Sequence, residues 1–205
     1  MTPEALEYLR GACPHMDSLI VTHGTCTLKH APDRSPFHTL VNAVANQQLH
    51  AKAAQTILKR FRGLFDGRFP SAKALVNVSD DEMRNVGFSR AKVAAIRDIA
   101  AKCLDGTVPG PKVISTMTDD EIIERLTSIR GVGRWTVEML LIFKLGRPDV
   151  LPADDYGVRT GFQRVRNLAT LPSPKELRLY GERWRPHATT AAWYLWRAAD
   201  GKGAM

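Results

Sequence analysis

Residues 125–158 read RLTSIRGVGRWTVEMLLIFKLGRPDVLPADDYGV, and the fold turns on Gly131-Val132-Gly133 within them. The spacing predicts one helix over Glu121–Ser128, a reversal at the two glycines, and a second helix from Arg134 to Lys144. Glycine reaches positive φ without strain and lets another backbone come close, because no Cβ is in the way. The first turn of the second helix carries exposed N–H groups, which suit an anion such as a phosphate. Arg130 and Arg134 flank the turn and add positive charge. A Gly-x-Gly is also found in ordinary helical turns, so the longer string has to carry the case. About twenty residues on, Asp154 and Asp155 follow a Pro-containing loop and precede another helical stretch.

Working outward, the chain is helical by period throughout. Residues 3–12 and 16–23 read as short helices with Pro14 at the break, and 26–36 as a connecting loop. Phe37, Leu40, Val41, Val44 and Ala45 form an i, i+3, i+4, i+7 stripe that stops at Asn46-Gln47-Gln48. An amphipathic helix follows from Ala51 to Phe65. Ser79-Asp80-Asp81-Glu82 and Thr118-Asp119-Asp120-Glu121 both carry a capping-box pattern. Each precedes a glycine turn, so the two stretches look like a degenerate and a full copy of one unit, with convergent capping as the plainer explanation. Ser89–Leu104 is a long helix, and Pro109-Gly110-Pro111 is the best lobe boundary. Helices over 155–166, 173–183 and 188–199 complete the series, and 201–205 is expected to fray. No strand pattern recurs. The expected fold is all-α, with two helical lobes and an active-site cleft between them.

The chain has 205 residues and a formal charge of +8, which favours a polyanionic partner without proving one. Cys13, Cys26 and Cys103 are odd in number and widely spaced, so neither a disulfide frame nor a zinc site is expected. His23, His30 and His38 lack ligand-like spacing and read as ordinary side chains. No stretch reads as a secretory signal or a membrane span. The protein is expected to be intracellular.

Two strings, Gly131-Val132-Gly133-Arg134-Trp135-Thr136 and Val150-Leu151-Pro152-Ala153-Asp154-Asp155, make the chain resemble the helix-hairpin-helix, Gly/Pro-rich loop, Asp superfamily of DNA glycosylases. The resemblance runs from about Phe37 to Trp196 and is closest to the DNA-3-methyladenine glycosylase II (AlkA-like) branch. It implies a base-excision-repair enzyme that flips alkylated purines of the 3-methyladenine and 7-methylguanine type out of duplex DNA and hydrolyses the N-glycosidic bond. Asp155 matches the catalytic aspartate, whose carboxylate can stabilise a cationic sugar or activate water. Gln48 becomes the wedge that fills the gap left by the flipped nucleotide, with Gln47 beside it. Gly131, Gly133, Arg134 and Thr136 would hold DNA phosphate. Trp135, Met139, Trp196 and Tyr156 would line the base pocket.

Strand-nicking relatives carry a lysine where this chain has Trp135, so a monofunctional, water-using enzyme is expected. Lys144 is the weak substitute. The iron–sulfur relatives need four clustered cysteines that this chain lacks, so no such cluster and no required cofactor are expected. A monovalent cation on the carbonyls of Thr127, Ile129 and Val132 is implied at the hairpin. The partner is double-stranded DNA with a damaged base, bound by a monomer and not at a membrane. Compared with longer members of the branch, the resemblance implies a compact form without an N-terminal β-rich domain.

The resemblance also fixes the expected domains: 1–36 as N-terminal helices packing with the C-terminal lobe, 37–110 as the wedge lobe, and 111–205 as the hairpin and aspartate lobe. Plainer readings remain beside it. Asp154 fits a helix cap, Trp135 a core residue, and Gln47-Gln48 a polar turn. The rival functions are a glycosylase for deaminated or mismatched bases and a non-catalytic DNA-binding module.

Overall fold

The computed structural model describes residues 3–201, and every regular element among them is a helix. Residues 202–205 of the expected frayed tail lie outside the described residues. Gly201 closes the last helix in the left-handed conformation, at φ 66°. The chain divides into two compact units, Met1–His30 with Gly146–Met205, and Ala31–Leu145. Among the described residues, no helix is long and apolar enough to cross a membrane.

The chain begins with α1 (Pro3–Ala12) and α2 (Pro14–His23). Pro14 opens α2 instead of separating two helices, because its missing N–H costs nothing in a first turn. The second unit follows: α3 (Pro36–Asn46), α4 (Ala51–Gly63), α5 (Ala72–Leu75), α6 (Asp80–Asn85), α7 (Arg90–Leu104), α8 (Pro111–Thr116), α9 (Asp119–Thr127) and α10 (Arg134–Phe143). The chain then completes the first unit with α11 (Tyr156–Val165), α12 (Pro174–Gly181), a 3-10 turn at Glu182–Trp184, and α13 (Ala188–Asp200).

Local chemistry sets the helix starts. Ser79 with Glu82, Thr118 with Glu121, and Ser173 with Glu176 form complete capping boxes. In the second unit, α3 buries Phe37, Leu40, Val41 and Val44, the stripe legible in the sequence. Each such side chain contributes roughly 1.5–3 kcal/mol of burial. Helix α10 is buried from Thr136 to Ile142 and packs on α3 and α9.

The expected lobe boundary at residues 109–111 is corrected by these contacts. Pro111 starts α8, again as a first-turn proline. The hairpin belongs with residues 31–110, not with residues 146–205. The cause is the apolar face of α10, which needs α3 to cover it. In the first unit, α2 and α11 both pack on α13, around Trp184, Tyr194 and Leu195.

Candidate functional sites

The hairpin of the second unit is built from α9, a turn, and α10. Gly131 sits at φ +74°, and a Cβ added there would stand 2.6 Å from the Cβ of Ala95 on α7. Positive φ and close approach therefore both demand glycine. Asp98, also on α7, accepts the Arg130 N–H at 2.7 Å. Arg125 donates to the carbonyls of Thr107 and Gly106, each at 2.8 Å. The turn is thus held from several sides.

Gly133 is the N-cap of α10, with extended backbone and no side-chain cap. Nothing lies within 4 Å of where its Cβ would be. A start of this kind presents main-chain N–H groups to an approaching anion. Arg134 is exposed beside it and pairs with the buried Glu138 at 3.0 Å.

Thr136 departs from the expectation of a phosphate contact. Its side chain is buried, and its N–H donates to the Gly133 carbonyl at 2.9 Å. Its hydroxyl accepts a hydrogen bond from Gln47 Nε2 at 3.0 Å. Thr136 therefore braces the hairpin from inside. Gln47 is corrected for the same reason: its amide also donates to the Gly131 carbonyl, at 3.1 Å, so it faces the hairpin and is not an exposed companion of the wedge.

Gln48 is exposed at the tip and stands at φ 55°, a left-handed conformation uncommon outside glycine. The carbonyls of Ala45 and Gln47 accept hydrogen bonds from Lys92 Nζ at 2.9 and 2.8 Å. Burial lowers the Lys92 pKa from the ordinary lysine value. Nothing in the sequence marks Lys92 or Asp98 for these tasks, since each acts on a segment at least thirty residues distant.

Trp135 and Met139 lie one turn apart on α10. Trp135 is half-buried and Met139 buried. The Lys144 amine donates to the Pro32 carbonyl. A buried lysine spent on a loop carbonyl is a poor nucleophile, which sets the substitute aside.

The second site lies in the first unit. Asp155 is the N-cap of α11, and its Oδ1 accepts the Val158 N–H at 2.8 Å. The same Oδ1 accepts the Trp196 indole N–H, also at 2.8 Å. A cap fixes the carboxylate from its own helix, and the indole fixes it from α13. Gly157 fits beneath them: a Cβ there would sit 3.0 Å from Trp196 Cδ1 and 3.1 Å from Asp155 Oδ1.

One turn on, Gly161 lets the α11 backbone meet α13, since its Cβ would stand 1.9 Å from the Leu195 carbonyl oxygen. The Gly-x-x-x-Gly spacing at 157 and 161 is the sequence signal for this contact. Asp154 pairs with Arg178 of α12, an exposed structural ion pair. Tyr156, expected in the base pocket, is 72% exposed. It opens α11 directly after Asp155.

These parts define a class: an all-helical protein with a glycine hairpin in one unit and, in the other, a carboxylate held by two N–H donors. Comparison narrows the class. Residues 41–186 match the HhH-GPD superfamily of base excision DNA repair proteins. DNA-3-methyladenine glycosylase 1 of Schizosaccharomyces pombe is 40% identical over 176 residues, covering 83% of this chain and 77% of that protein. The structure of a Schizosaccharomyces pombe 3-methyladenine DNA glycosylase in complex with abasic DNA superposes with a TM-score of 0.89, at 37% identity and 95% coverage of both chains. A DNA-3-methyladenine glycosidase from Bacillus halodurans gives 0.83 at 32% identity, over 97% of this chain and 89% of that one. The chain belongs to the HhH-GPD superfamily of base excision DNA repair proteins.

Proposed function

We propose that this protein is a monofunctional DNA glycosylase that removes alkylated purines from duplex DNA by hydrolysis. The carrying observation is the Asp155 carboxylate, clamped by Val158 and Trp196 in a chain 40% identical to a DNA-3-methyladenine glycosylase. The hairpin amides at Gly131 and Gly133 grip a backbone phosphate, with Arg134 beside them. Gln48 enters the stack as the damaged nucleotide leaves it.

As the glycosidic bond breaks, positive charge grows on the sugar, and a fixed carboxylate stabilises it without reorganising. Water completes the substitution, and the products are free base and an abasic site. An alkylated purine carries positive charge, which weakens its bond to the sugar. The indole face of Trp135 favours such a base. Without an amine at position 135, no covalent step competes. The enzyme works as a monomer wherever the cell's DNA lies, in a nucleoid or a nucleus.

The proposal includes a monovalent cation on the carbonyls of Thr127, Ile129 and Val132. In support, the Ile129 oxygen accepts the Val132 N–H at 3.0 Å, and a carbonyl has a second lone pair to offer a cation. The cation would join hairpin to phosphate, while the chain's own residues carry the chemistry.

A substrate panel tests the reading. Duplexes with 3-methyladenine, 7-methylguanine, hypoxanthine, uracil or a mismatched base are incubated with the protein, and free base is measured. Release confined to the alkylated purines is expected. Release of only hypoxanthine or uracil would replace the substrate class, and binding without any release would leave a non-catalytic module.

A further inference from the structure

We infer that Gln47 is a positioning residue that joins the Gln48 tip to the hairpin, so that wedge and phosphate grip meet DNA as one piece. The inference rests on the reading of Gln48 as the wedge. Both protons of the Gln47 amide are committed, one to the Gly131 carbonyl at 3.1 Å and one to the Thr136 hydroxyl at 3.0 Å. The Gly131 carbonyl can only accept, so the nitrogen end of the amide has to face it.

These partners lie 84 and 89 positions away in the chain, yet they belong to the turn that opens α10. Thr136 is itself buried and Gly131 is locked against Ala95, so the anchor is stiff. On the other side of the same residue, the Gln47 carbonyl is held by Lys92. Gln47 is thereby fixed through both its main chain and its side chain.

The residue that follows pays for this rigidity. Gln48 sits at φ 55°, and a non-glycine residue keeps such a conformation when its surroundings over-determine it. Gln47 and Lys92 are those surroundings. Release of the Gln47 side chain leaves the tip free to relax to an ordinary conformation. It would then reach DNA in a range of orientations, and the cost of ordering it would fall on the binding step.

The test uses the full chain and a duplex with a tetrahydrofuran abasic analogue opposite 2-aminopurine. Fluorescence of the 2-aminopurine reports wedge entry, and anisotropy reports affinity. Gln48→Ala is expected to abolish the fluorescence change. Gln47→Ala and Gln47→Glu should each weaken wedge entry roughly tenfold, the size expected for losing such hydrogen bonds. The glutamate matches glutamine in shape but sets an oxygen against the Gly131 carbonyl.

The decisive comparison is Gln47→Ala combined with Gln48→Ala. If Gln47 acts through the wedge, the affinity of the double variant, read by anisotropy, is no worse than that of Gln48→Ala alone. Losses that multiply, or losses that follow a fall in melting temperature, would reduce Gln47 to a structural residue and overturn the inference. So would a fluorescence change indifferent to Gln48→Ala. Base release from a 3-methyladenine duplex is scored in parallel on wild type. Absent release with the wedge signal intact would sink the glycosylase reading and leave the coupling standing.

Discussion

Trp196 donates its indole N–H to Oδ1 of Asp155 at 2.8 Å, and the two residues come from different helices, α13 and the start of α11. The family resemblance implies that Trp196 lines the base pocket. The structure gives it a hydrogen bond to the carboxylate as well. Two donors on one oxygen set the rotation of the carboxylate plane, and a charge fixed before reaction is worth more than one that must turn into place.

Trp196→Phe keeps most of the ring and deletes the donor. A hydrogen bond to a charged group is worth about 1.5–3 kcal/mol, so base release should fall roughly tenfold or more. Affinity for an abasic duplex should change much less. An equal loss in both would mean that Trp196 serves binding and not the orientation of Asp155.

Gly161→Ala should be among the most damaging small substitutions in the first unit. The new Cβ would stand 1.9 Å from the Leu195 carbonyl oxygen and 2.6 Å from its carbon, both backbone atoms that cannot rotate away. Helices α11 and α13 would have to part, at about 3 kcal/mol or more. Gly133→Ala, in open space at φ −88°, should cost under about 1 kcal/mol. Urea denaturation compares the two, and near-equal midpoints would contradict the packing described.

His38 stacks on Phe69 with ring centroids 3.6 Å apart, and burial together with the charges of Arg34 and Arg62 lowers its pKa to about 4. The unfolded chain would bind that proton near pH 6.5. Between those values the unfolded state holds more protons, so this contribution to stability is complete above pH 6.5 and is lost as pH falls through 4. Melting temperature followed across this window should drop more steeply for wild type than for His38→Phe. Parallel curves would remove His38 from the acid response.

DNA binding should be strongly salt-dependent. Four neutralised phosphates would weaken affinity by roughly a hundredfold between about 50 and 200 mM salt. Arg134→Ala should lower the slope by about one phosphate, if its guanidinium leaves Glu138 for DNA. Fluorescence anisotropy over a salt series measures both, and an unchanged slope would confine Arg134 to its ion pair.

The hairpin and the aspartate were legible because their signals are local. Gly131 announces a reversal, Thr118 and Glu121 announce a helix start, and the apolar run of α10 announces burial. Asp155 came from a short contiguous string. What stayed hidden was contact across distance. Gln47 looked like half of a polar tip because its partners Gly131 and Thr136 lie far along the chain.

Lys92 carries no local sequence signal to show that the carbonyls of Ala45 and Gln47 await it. Pro109-Gly110-Pro111 misled for a different reason. Proline ends and begins helices equally well, and only the packing of α10 on α3 decides which unit follows.

The most direct test of the central claim is base release from a 3-methyladenine duplex by wild type and by Asp155→Asn, with strand breaks scored before and after alkali. Asparagine is a good N-cap, so the start of α11 should survive while the charge is lost. The account predicts a loss of about a hundredfold or more in the variant, little change in melting temperature, and breaks in the wild-type product only after alkali. Undiminished release by Asp155→Asn, or strand breaks without alkali, would contradict it.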